Sequence, residues 1–88
     1  MKLARVAGPV VSTIKHPFFE GRTLLLCDYL SPEARETGRY TIAVDTVGAG
    51  VGELVLILDE GSSARQIIGQ KDAPVRAIVA AIVDEVTL

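Results

Sequence analysis

Three segments of this chain, residues 22–30, 53–60 and 75–86, read as β-strands that are apolar on both faces. Strands of that kind belong to sheets covered on both sides. The chain has only 88 residues, and a domain of this size buries only roughly 60–65% of its unfolded surface. The one helix the pattern allows, over residues 62–68, is too short to cover a sheet. The excess apolar surface therefore calls for a partner, and the simplest partner is another copy of the same chain.

Val, Ile and Leu supply 27 residues, 18 of them β-branched, which favours strands over a helical bundle. Residues 2–14 form a first strand, bent where Gly8-Pro9 breaks the ladder. A loop begins at His16-Pro17 and closes at Glu20-Gly21, and the second strand covers 22–30. Residues 31–38, polar and punctuated by Pro32 and Gly38, form a surface loop. The alternation over 39–47 puts Tyr40, Ile42 and Val44 on one face and Arg39, Thr41 and Asp45 on the other. Residues 48–52 make a turn into a fourth strand. Ser62 caps the short helix and Gly69 ends it, and the β-branched run 75–86 is a last strand. The expected fold is all-β: one domain over residues 1–88, a small OB-like β-barrel with one short α-helix.

Composition narrows function by exclusion. A net charge of −2 and four aromatic residues (Phe18, Phe19, Tyr29, Tyr40) lack the basic groove and stacking platforms of a single-strand nucleic-acid binder. The longest apolar run, residues 77–83, is far too short to span a bilayer as a helix. Arg5 and Gly8-Pro9 interrupt any signal-peptide core. The lone Cys27 rules out an internal disulfide and suits a reducing cytoplasm; it reads as a small core hydrophobe.

Candidate sites have competing ordinary explanations. The glycines of Gly48-Ala49-Gly50-Val51-Gly52 are followed by Glu53 and a strand, where a phosphate loop needs Lys-Ser/Thr and a helix. The segment reads as a hairpin turn with positive φ angles, or as a place where several backbones converge at a symmetry axis. Ser62, Ser63 and Arg65 at a helix start resemble an anion site, but a cap with Arg65 paired to a carboxylate explains them better. His16, beside Lys15, has no catalytic or metal-ligating partner within reach of sequence spacing. The paired acids Asp59-Glu60 and Asp84-Glu85 read as solvated strand ends. Nothing calls for a catalytic site, cofactor or metal. An OB-like module for single-stranded nucleic acid or a small anion is the alternative class.

Taken in order, the motifs carry a family likeness. They begin with Leu3-Ala4-Arg5-Val6, Gly8, Val10-Val11-Ser12-Thr13 and Lys15-His16-Pro17. Gly21, Leu24-Leu25-Leu26 and Ala43-Val44-Asp45-Thr46-Val47-Gly48-Ala49-Gly50 follow. Gly52-Glu53, Val55-Leu56, Gly61-Ser62-Ser63-Ala64-Arg65, Ala73-Pro74-Val75 and Ile82-Val83-Asp84 complete the series. The sequence resembles the pentameric vertex proteins of bacterial microcompartment shells, the CcmL/EutN-like family. The resemblance implies a barrel protomer in a cyclic homopentamer that caps shell vertices beside hexameric and pseudohexameric proteins, a structural role without catalysis in the cytoplasm.

By that likeness, Gly48, Ala49 and Gly50 would line a narrow axial pore. Ser62, Ser63 and Arg65 would lie near the subunit interface, and Lys15 and His16 at the flank where a hexamer docks. Many relatives carry Asp where this chain has Arg76, a charge reversal that bears on a local salt bridge. The chain also stops at Leu88, short of the longer tail of some relatives.

Overall fold

Val, Ile and Leu at alternate positions suit pleated backbone, and five such segments close on one another. The structure, a computed structural model, describes residues 1–11, 21–59 and 76–84. The strands are β1 (Lys2–Val10), β2 (Leu24–Leu30), β3 (Glu36–Asp45), β4 (Leu54–Asp59) and β5 (Ala77–Val83). They form a closed barrel in the order β1-β2-β3-β5-β4. All pairings are antiparallel except β3 with β5, a short parallel contact at Val44↔Ile78 and Asp45↔Val79.

The bend expected at Gly8-Pro9 is a register shift between Val6 and Gly8 in the β1–β2 ladder. There the extra residue increases local twist and lets the strand turn the barrel's corner. A second shift, opposite Leu56 and Ile57, leaves Ala80 as the extra residue and bends β5 against β4. The expected loop over 31–38 is shorter in the structure. Ser31 ties it into a tight turn: its N–H donates to the Arg35 carbonyl at 2.8 Å, and its carbonyl accepts from the Ala34 N–H at 2.8 Å. β3 then starts at Glu36, and Gly38 enters the strand with φ 79°.

The barrel interior is filled by Ala4 and Val6 of β1, Leu25, Cys27 and Tyr29 of β2, Ala43 of β3, Val55 and Ile57 of β4, and Ala77 and Val79 of β5. Cys27 is fully buried there, as its apolar context predicts. A second cluster, Leu24, Val44 and Ile78, lies on the opposite face of these strands. The strands are thus apolar on both sides, as expected. The alternation in β3 also holds, but its apolar set lies on the outside of the barrel, where Val44 is covered within the second cluster. Ala43 points into the core, while Tyr40 and Ile42 stay 66% and 48% exposed. The expected helix over 62–68 and residues 12–14 of the first strand lie outside the described residues.

Candidate functional site: a glycine loop and an apolar exterior

The connection from β3 to β4 is organised by two carboxylates of its own sequence. Asp45 Oδ1 accepts hydrogen bonds from the backbone N–H groups of Val47 (3.0 Å), Gly48 (3.0 Å) and Ala49 (3.3 Å). Glu53 Oε1 accepts from the Gly50 N–H, and the Glu53 N–H donates back to the Gly50 carbonyl at 3.1 Å. An Asp three residues before a glycine commonly curls the backbone over itself this way. Four consecutive N–H groups are therefore already engaged. A phosphate loop needs those groups free to face its anion, so the phosphate reading has no donors to rest on here.

Positive φ is confined to part of the loop. Gly48 (φ 75°) and Gly52 (φ 87°) adopt it, as the turn reading expects, but Gly50 does not. Glycine at position 50 relates to space instead, since a Cβ there would stand 3.2 Å from Glu53 Oε1. The loop is also tied to the barrel. The Gly52 N–H donates to the Val6 carbonyl at 2.8 Å, and the Val6 N–H to the Glu53 carbonyl at 3.0 Å. Arg5 Nη1 donates to the Gly52 carbonyl at 2.9 Å, and Thr46 Oγ1 to the Val79 carbonyl at 2.7 Å. Ala49 packs against the core. The result is a fixed projection.

One end of the barrel carries a polar group that sequence reasoning missed. Asp59 was expected to be a solvated strand end, yet its carboxylate bridges two side chains. Tyr29 OH donates to Oδ2 at 3.1 Å, and Arg76 Nε to Oδ1 at 3.0 Å. Burial, opposed by a hydrogen bond with Thr41 and reinforced by the Asp59 carboxylate, holds the Tyr29 phenol above its ordinary pKa. Lys2 Nζ stands 5.0 Å from the Tyr29 ring centroid, within cation–π range. The sequence offered no signal for this cluster, because its contacting pairs are 17 to 30 residues apart and only the barrel brings them together. Deeper inside, burial first, then the charges of Asp28 and Asp45, push the Cys27 thiol up to about 11. Such a thiol is inert at neutral pH. Among the described residues no group of three His, Cys, Asp or Glu side chains could hold a metal ion.

Among the described residues the exterior carries two apolar features. A groove of about 550 Å³ is lined by Leu3, Leu30, Pro32, Leu56 and Val83, with Met1 and Lys2 at its side. Its floor is a row running across strands, since Leu3 and Leu56 are register partners. The other feature is the outward face of β3, where Tyr40 and Ile42 pair in register with Asp28 and Leu26 of β2. Of the residues the sequence singled out, Gly48, Ala49 and Gly50 come together in the fixed loop. Ser62, Ser63 and Arg65, and Lys15 and His16, lie outside the described residues.

Comparison with known proteins places this geometry. Residues 1–84 match the family described as ethanolamine utilisation protein EutN/carboxysome. The carboxysome shell vertex protein CcmL of Synechocystis is 44% identical over 88 residues, all of this chain and 87% of the relative. The microcompartment shell vertex protein EutN of Escherichia coli is 42% identical over 86 residues, 98% of this chain and 90% of the relative. Among solved structures, the GrpN pentameric microcompartment shell protein of Rhodospirillum rubrum superposes with a TM-score of 0.88 at 40% identity, covering all of this chain and 99% of that one. These relatives are structural, which leaves the nucleic-acid alternative without support and gives the barrel no enzymatic role. The chain belongs to the EutN/CcmL family of microcompartment shell vertex proteins.

Proposed function

We propose that five copies of this chain close into a ring that caps the vertices of a polyhedral shell in the cytoplasm, beside hexameric and pseudohexameric shell proteins. A flat hexagonal layer closes into a polyhedron only where fivefold units replace sixfold ones, so the task is geometric. The observation that carries this reading is the apolar exterior: Tyr40, Ile42 and Val51 are 66%, 48% and 68% exposed on a barrel whose interior is already filled. Surface of that kind, in a chain this small, is what a self-associating protein buries.

Within the ring, Gly48, Ala49 and Gly50 line the axial opening. The stiffness of their loop supports this, since a narrow opening needs walls that do not move. Ser62, Ser63 and Arg65 contribute to the contact between protomers, and Lys15 and His16 to the contact with a neighbouring hexamer. The test is assembly with hexameric shell proteins followed by electron microscopy. Closed particles should form when the chain is present and particles with missing corners when it is omitted. Closed particles in both cases would remove the vertex role.

A further inference from the structure

A cyclic ring of identical subunits needs two different surfaces on each copy, because the contact is head to tail. The described residues display two. One is concave: the groove lined by Leu3, Leu30, Pro32, Leu56 and Val83. The other projects: Tyr40 and Ile42 on the outer face of β3. β3 is hydrogen-bonded to neither β1 nor β4 in the barrel order, so the projecting pair and the Leu3–Leu56 floor of the groove face different directions.

Resting on the pentamer reading, we infer that the β3 face of each copy, led by Tyr40 and Ile42, seats in the groove of the next copy. A second copy is the occupant these surfaces select. One feature is a groove and the other an exposed strand face, both are apolar, and a single barrel cannot bring them together. Among the described residues the groove's lining holds one charged side chain, that of Lys2, while Asp28 lies between Tyr40 and Arg5 in the ladder beside the exposed pair. Tyrosine suits the role of anchor, because it combines a large apolar area with a hydroxyl that can stay at the wet edge of the contact.

The test uses native mass spectrometry on the full chain and two variants, Tyr40→Glu and Leu3→Glu, with circular dichroism to check folding. The unaltered chain should run as five copies; if it does not, the pentamer reading itself fails and this inference with it. Each variant alone should lose the five-chain species. Mixed together they should form dimers holding one copy of each, because Tyr40→Glu keeps an intact groove and Leu3→Glu keeps an intact β3 face. Five-chain rings that persist in either folded variant would overturn the pairing while leaving the pentamer standing.

A crosslink guards against variants that do not fold. The double variant Tyr40→Cys/Pro32→Cys changes two exposed positions, and Cys27 is buried and stays out of the reaction. Oxidation should give a covalent ladder ending at five chains on a denaturing gel. A gel showing only single chains after oxidation of an intact ring would refute the seating.

Discussion

Arg76 Nε stands 3.0 Å from Asp59 Oδ1, an ion pair that joins the last residue of β4 to the residue just before β5. The two strands are already in register there, with Asp59 opposite Ala77. The pair therefore closes the mouth of the 60–75 connection. Where the family resemblance sets an Asp at position 76, this chain has the charge that Asp59 can use.

Reversing that charge should have a small effect. The Arg76 side chain is 85% exposed, and exposed pairs contribute about 0–1 kcal/mol. Arg76→Asp should lower stability within that range in urea titrations. Asp59→Leu should cost more, because it also strips the part-buried Tyr29 hydroxyl of an acceptor. Equal losses for the two variants would mean that the Tyr29 bond contributes nothing.

Asp45 is expected to matter more than its place on a loop suggests. Asp45→Ala removes the acceptor for three backbone N–H groups, a change comparable to deleting a helix cap, which costs about 0.5–2 kcal/mol. Amide hydrogen exchange at Val47, Gly48 and Ala49 should quicken, while exchange in the barrel interior at Val55 and Ile57 changes little. Unchanged protection in the loop would show that the carboxylate does not hold it.

Gly48 and Gly50 should separate. Gly48→Val forces a β-branched residue to φ 75°, a strain of about 1–3 kcal/mol, and should lower the unfolding midpoint of the protomer. Gly50→Val has no such φ, but its Cβ would press at 3.2 Å on Glu53 Oε1, the acceptor of the residue's own N–H. It should cost the protomer less than Gly48→Val does, while narrowing the axial opening that we propose this loop lines. Crystal structures of the two rings, with thermal melts, check both halves.

Alkaline pH should destabilise the fold through Cys27. Its thiol is raised from 9.0 to about 11 in the folded state, so between those values the native chain holds a proton that the unfolded chain has released. Stability is then fully present below about pH 9 and falls as pH rises through 11, by on the order of 2 kcal/mol. The raised Tyr29 phenol acts in the same direction. Denaturant midpoints from pH 7 to 11 measure the slope, and Cys27→Ala should flatten it. An equally steep slope in that variant would clear the thiol of responsibility.

Much of this architecture was legible in the residues because strand patterning is local. The Gly8-Pro9 break announced the irregularity in β1, and Leu54, Val55, Leu56 and Ile57 announced a strand with no polar face. Alternation also separated the faces of β3, but it could not tell which face is inside. Ala43 occupies the interior beside Tyr29 and Ile57, and Tyr40 and Ile42 are left outside. The Tyr29–Asp59–Arg76 cluster and the groove were invisible for a different reason: they exist only after closure brings distant strand ends together. Asp45 could have been found, since an Asp three residues ahead of Gly48 is a known backbone-curling pattern.

The most direct test of the central claim is the native mass of the purified chain across a range of concentrations. An apolar exterior buried by fivefold self-association predicts a single dominant species of five chains that persists on dilution. A lone chain, stable and soluble at every concentration, would contradict it.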